Sequence, residues 1–88
     1  MALILLPLAE AAFAKMDVKQ QDLFIKHFEK LERMPPRRHL KYGIPYHVEE
    51  VGQGRIIYDI RGEDIIVTRC FATHKEYERW YHSLNDHR

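Results

Sequence analysis

The chain has 88 residues, of which 45% are hydrophobic and 31% are charged, and its formal net charge is +1. This length predicts one domain over residues 1–88, and the balanced composition excludes a disordered or low-complexity chain. The single cysteine, Cys70, excludes an internal disulfide framework; on a predicted strand it is expected to be a buried thiol rather than a nucleophile.

The first predicted element is a short strand. Ala2 to Leu6 is a continuous apolar run that ends at Pro7, which is typical of a buried strand. The run is too short to cross a bilayer and lacks a basic leader, so we expect no membrane association and a cytoplasmic protein. Pro7 suits the first turn of a helix, and an Ala-rich helix is predicted over Leu8 to Met16.

A second, amphipathic helix is predicted from Val18 to Arg33. Asp17 is placed to cap its N-terminus, with Gln20 as the capping-box partner. Pro35 and Pro36 end it. The apolar residues that recur at helical spacing, and therefore face the predicted core, are Phe24, Phe28 and Leu31.

Basic residues are concentrated between Lys26 and Lys41. This stretch holds six Lys and Arg residues and two acids, Glu29 and Glu32. Such an excess can meet a polyanion, or it can be a solvated helix face followed by a basic loop, and charge alone does not separate these alternatives.

After Pro45 the apolar residues alternate with the period of a strand. Glycine-containing turns at 52–54 and 61–64 separate three strands, and a short helix follows. The predicted fold is therefore α+β, with two N-terminal helices packed on one face of a small, mainly antiparallel sheet. The predicted bounds are Tyr46–Val51, Arg55–Ile60 and Ile65–Phe71 for the strands, and His74–Leu84 for the helix.

The third strand is predicted to present different residues on its two faces. If the helices cover Ile56, Tyr58 and Ile60, then Arg55 projects from the opposite, open face. A three-residue turn at 52–54 would place three more polar residues beside Arg55 on that face, namely His47, Glu49 and Asp59. Alternatively, Arg55 only pairs with Glu49 or Asp59 across the sheet. The face of Arg69 is left open, because two loop lengths fit the next turn.

Three short motifs occur in order along the second half of the chain: Leu40-Lys41-Tyr42-Gly43-Ile44-Pro45-Tyr46, Gly54-Arg55-Ile56-Ile57-Tyr58 and Phe71-Ala72-Thr73-His74-Lys75-Glu76-Tyr77. Together with the order of the elements, they resemble the RelE/ParE/HigB superfamily of type II toxins, and the last motif is closest to the HigB branch. The resemblance implies a RelE-like fold and a ribosome-associated endoribonuclease that cleaves mRNA and inhibits translation. It also implies neutralisation by a cognate antitoxin, with no metal and no cofactor.

The resemblance further implies roles for particular residues. Arg55 would bind the scissile phosphate and His74 would transfer a proton, with Glu49 or His47 as a possible base. Lys75 would add positive charge. The residues expected in catalysis are Arg55, His74, Lys75, Tyr77, Glu49 and His47, and those expected to contact RNA are Arg37, Arg38, Lys41, Arg69 and Tyr81.

The second strand departs from the pattern of the family. Ribonuclease members usually carry basic residues there, whereas this chain has His47-Val48-Glu49-Glu50. Carboxylates beside a phosphate favour two alternatives: a ParE-like toxin that acts on DNA gyrase without being a nuclease, or a catalytically idle binding module.

Overall fold

The computed structural model describes residues 2–33 and 46–85, which form an α+β fold in the predicted order of elements. No helix in these two ranges is long and apolar enough to cross a membrane. The elements are β1 (Leu3–Leu5), α1 (Pro7–Ala14), α2 (Val18–Arg33), β2 (His47–Val51), β3 (Gly54–Arg61), β4 (Asp64–Phe71) and α3 (His74–Asn85).

The four strands form one mixed sheet in the order β1-β4-β3-β2. β1 runs parallel to β4, whereas β4, β3 and β2 are consecutive antiparallel neighbours. The short β1 reaches β4 only as far as Val67, because Pro7 then begins α1. The sheet is thus mainly antiparallel, as predicted.

Helix α2 covers one face of this sheet with its predicted apolar stripe. Phe24, Phe28 and Leu31 are 0%, 8% and 1% exposed, and they share a core with Ile56 and Tyr58 of β3. Burial of three such side chains contributes about 1.5–3 kcal/mol each to folding. The predicted core face of both α2 and β3 is confirmed.

The N-terminus of α2 is capped as predicted, but the capping box is not closed. Asp17 Oδ1 accepts the backbone N–H of Gln20 at 2.8 Å. The side chain of Gln20 does not reach back to Asp17. Instead its Nε2 donates to the carbonyl oxygen of Ala72 at 2.6 Å, which ties α2 to the end of β4.

The turn between β2 and β3 is one residue shorter than predicted. Gly52 has φ +60° and begins a two-residue loop, so Gly54 lies in β3 opposite Val51. Gly54 is buried against the ring of Phe24. A methyl group at position 54 would lie 2.8 Å from that ring, so glycine allows β3 to approach α2 closely.

The single cysteine occupies the helix-covered face of β4, as expected for a structural thiol. Cys70 is 3% exposed and pairs with Ile56. Burial raises the pKa of its thiol to about 12, so the thiolate that a nucleophile needs is strongly disfavoured.

Candidate functional site

The shorter turn changes which face of the sheet carries the acidic residues of β2. Glu49 lies opposite Ile56 and His47 lies opposite Tyr58, and paired residues of antiparallel strands point to the same side. Both side chains therefore lie on the helix-covered face. The prediction that Glu49 and His47 join Arg55 on the open face is wrong, because it assumed a three-residue turn.

Glu49 instead ties β2 to α2. Its Oε2 accepts from His27 Nδ1 at 2.6 Å and from Lys30 Nζ at 2.9 Å, and its side chain is 15% exposed. His47 stacks on Tyr58 with ring centroids 5.1 Å apart. The acid that sequence reasoning offered as a base is thus occupied by two donors from a neighbouring helix.

Arg55 lies on the opposite face, at the beginning of β3. Its Nη1 donates to the carbonyl oxygens of Gly52 at 3.2 Å and Gly54 at 2.7 Å, and its Nη2 lies 3.0 Å from His74 Nδ1. The pairing with Glu49 or Asp59 considered from the sequence does not occur. Asp59 pairs with Arg61 at 2.9 Å, and this bond lowers the pKa of the Asp59 carboxyl.

The position of His74 follows from the start of α3. Thr73 Oγ1 accepts the backbone N–H of Glu76 at 3.1 Å, so Thr73 caps the helix and His74 begins it. The Thr73-x-x-Glu76 spacing is a capping-box pattern that the sequence already carries. One turn on, Glu78 Oε2 lies 3.2 Å from His74 Nε2.

The terminal aromatic residues pack on the same face as Arg55, so that face is partly covered by α3. The guanidinium of Arg55 lies 6.0 Å from the ring centroid of Tyr77, which stacks on Tyr81. Trp80 packs against Phe71. Lys75 is exposed beside His74. The structure therefore brings together Arg55, His74, Tyr77 and Tyr81, and separates them from His47 and Glu49. Lys75 follows His74 in the first turn of α3 without a contact to this group.

Tyr46 is a member of this aromatic cluster that sequence reasoning missed. Its ring lies 5.1 Å from that of Trp80. Its hydroxyl is buried without a well-formed hydrogen bond to the described residues. Burial, reinforced by the nearby Tyr77 hydroxyl, raises the pKa of Tyr46. Tyr46 lies two residues before Val48, which shares the face of Arg55, so strand alternation could have placed Tyr46 on that face as well.

The remaining candidates for RNA contact fall into two groups. Arg69 pairs with Ile57, so it shares the face of Arg55, and it lines a groove between α1 and α3. A bulge between Ile57 and Tyr58 sets this register. Arg37, Arg38 and Lys41, with the motif from Leu40 to Pro45, lie outside the described residues.

One acid remains next to Arg55. Glu50 lies directly opposite Arg55 in the β2–β3 pair and is exposed. Over residues 2–33 and 46–85, no group of three or more His, Cys, Asp and Glu side chains is arranged to hold a metal ion. The chemistry available at the site is therefore that of a guanidinium, an imidazole and a phenol.

Comparison with known proteins relates the fold, but not the sequence, to a toxin. No protein-family model matches the chain, and no curated protein matches its sequence. Among solved structures, a copper-bound mutant toxin from Helicobacter pylori superposes with a TM-score of 0.64 and 16% identity, over 86% of this chain and 97% of that chain. At this identity the likeness establishes a shared toxin-like fold.

Proposed function

We propose that this protein is a type II toxin of the RelE/ParE/HigB superfamily, which cleaves mRNA on the ribosome and is neutralised by a cognate antitoxin. The observation that carries the proposal is the contact between Arg55 Nη2 and His74 Nδ1 at 3.0 Å, beside the ring of Tyr77. The toxin-like fold of the chain supports the same class.

Arg55 is suited to bind a phosphate. A guanidinium has five N–H donors in a rigid fork, and three of them are used in the contacts with Gly52, Gly54 and His74. The other two N–H groups of Arg55 have no acceptor among the described residues. Because two carbonyl oxygens hold the guanidinium in place, little side-chain entropy is lost when an anion binds.

His74 is suited to remove the proton of a ribose 2′-OH. Its Nδ1 lies 3.0 Å from Arg55 Nη2, and an unprotonated imidazole nitrogen carries a lone pair that can accept a proton. In this mechanism the 2′ oxygen attacks the phosphorus held by Arg55, and the bond to the 5′ oxygen breaks. The guanidinium and the positive end of α3 stabilise the negative charge that develops.

Displacement of Glu49 to the other face supports cleavage, because that carboxylate no longer opposes a phosphate at Arg55. Glu50 is the observation that favours the second candidate, a toxin that acts on DNA gyrase. Its charge lies across from Arg55, where it would repel a nucleic-acid backbone.

The test is expression of the chain in bacteria, with growth, translation, DNA supercoiling and mRNA 3′ ends measured together. The proposal predicts growth arrest, loss of translation and mRNA fragments that end in 2′,3′-cyclic phosphates. Arrest with loss of supercoiling instead would support the gyrase candidate. No arrest from the folded protein would support a binding module.

Matched variants locate the site. Arg55→Ala and His74→Ala are expected to abolish arrest. Arg61→Ala, in the same strand, and His82→Ala, in the same helix, are expected to leave it intact. If Arg55→Ala and His74→Ala fold and still arrest growth, the site proposed here is wrong. Co-expression of a small adjacent reading frame that restores growth would identify the antitoxin.

A further inference from the structure

We infer that Glu78 is a positioning residue, which holds the imidazole of His74 with its Nδ1 lone pair directed at Arg55. This inference rests on the proposed function, because it assigns the nitrogen of His74 that takes the proton. In the protein without RNA, it predicts which nitrogen of the His74 ring carries the hydrogen.

The donors and acceptors around the ring define the tautomer. A guanidinium has no acceptor, so the 3.0 Å contact of Arg55 Nη2 with His74 Nδ1 requires a lone pair on Nδ1. The hydrogen of a neutral ring then lies on Nε2. That nitrogen lies 3.2 Å from Glu78 Oε2, within ion-pair distance, and a carboxylate oxygen beside a ring nitrogen favours the hydrogen on that nitrogen. The two contacts thus select the same tautomer from opposite sides of the ring.

The helix makes this arrangement local. His74 and Glu78 are four residues apart in α3, so their side chains lie on one face, one turn from each other. The cap at Thr73 fixes the first turn from which His74 projects. Both side chains are about half exposed, at 53% and 51%, so an RNA strand can reach the ring.

Binding of a phosphate would then expose the required nitrogen. When the phosphate takes the donors of Arg55, Nδ1 loses its contact with Nη2 and keeps its lone pair. The 2′-OH proton moves to Nδ1, the bond from the 2′ oxygen to phosphorus forms, the bond to the 5′ oxygen breaks, and water supplies the proton of the leaving 5′-OH. The carboxylate of Glu78, 3.2 Å from Nε2, stabilises the positive charge of the imidazolium.

The test is the ¹⁵N spectrum of the His74 ring at a pH where the imidazole is neutral, together with mRNA cleavage. The wild type is expected to show a protonated Nε2 and an unprotonated Nδ1. In Glu78→Ala only the Arg55 contact still favours this tautomer, so a fraction of rings protonated on Nδ1 should appear beside it. Cleavage should fall about three- to tenfold, a part of the roughly 10²–10⁴ that a general base supplies.

Two further variants separate positioning from helix stability. Glu78→Gln keeps an oxygen acceptor and should retain the tautomer and most of the cleavage. Glu76→Gln removes a charge from the same helix and should leave the tautomer unchanged. A wild-type ring protonated on Nδ1, or a Glu78→Ala spectrum like the wild type, would overturn the inference. Because the spectrum needs no RNA, it decides the inference even if the wild type does not cleave mRNA.

Discussion

The two faces of the sheet carry polar clusters with similar components but opposite arrangements. On the face covered by α2, the carboxylate of Glu49 is the centre and accepts from His27 and Lys30. On the other face, the imidazole of His74 is the centre, between Arg55 and Glu78.

The two clusters differ in their exposure and in the number of N–H donors that are free to bind a ligand. Glu49 is 15% exposed and has two donors on one oxygen, so that cluster stabilises the contact of α2 with β2. His74 is 53% exposed, and Arg55 keeps unused N–H groups. A partly buried cluster whose carboxylate is held by two donors is typical of a structural contact, whereas an exposed cluster with spare donors can bind a ligand.

The largest expected effect is on the exposed cluster. Arg55→Lys keeps the charge but loses the planar fork and the contacts with His74 and the two carbonyl oxygens. We expect cleavage to fall about 10²–10³-fold, as when a preorganised donor to a transition state is removed. The rate of mRNA cleavage and the urea midpoint measure this. A variant that cleaves like the wild type would show that the fork is not used.

The next largest effect is steric and lies on the face of the sheet that α2 covers. Gly54→Ala places a methyl group 2.8 Å from the ring of Phe24, so we expect a loss of about 1–3 kcal/mol in unfolding free energy. Gly62→Ala is the control. Gly62 has φ +61° with open space around it, so only backbone strain of about 1 kcal/mol is expected. Equal losses in the two variants would refute close packing at Gly54.

A smaller loss of stability is expected in the half-buried cluster. Glu49→Ala leaves His27 and Lys30 without their acceptor, which costs about 1–2 kcal/mol. Cleavage per folded molecule should not change. Thermal unfolding and cleavage on the same sample test both parts. Loss of cleavage with unchanged stability would return Glu49 to the catalytic role that the sequence suggested.

The smallest effect is expected opposite Arg55. Glu50→Gln removes a charge opposite Arg55, where we propose that the phosphate binds, so cleavage at low substrate should rise about two- to fivefold at low salt. The rise should be smaller at high salt, where exposed charges are screened. Cleavage rates at two ionic strengths measure this. If Glu50→Gln abolishes cleavage, Glu50 is itself required for the reaction.

Most of the fold could be predicted from the sequence, because the signals were local. The period of Phe24, Phe28 and Leu31 identified the buried face of α2, and Asp17 identified its start. Gly62 and the alternation in β3 identified the second hairpin. These features depend on neighbours in sequence, so no tertiary information was needed.

The composition of the candidate site could be predicted only in part. Arg55 and His74 came from a family resemblance, and their contact depends on how α3 folds back on the sheet. The faces of Glu49 and His47 depended on one residue of loop length, and a shift of one residue reverses every side chain of a strand. Gly54 could be assigned to the strand only by its approach to Phe24, 30 residues earlier in the chain.

The proposed site is tested most directly by an NMR titration with a short oligonucleotide that carries a 2′-deoxyribose at the cleavage position and therefore cannot be cut. If RNA binds at Arg55 and His74, the signals of Arg55, His74 and Tyr77 should shift, whereas those of His27 and Lys30 should not. Shifts centred on His27 and Lys30, with Arg55 and His74 unaffected, would contradict it.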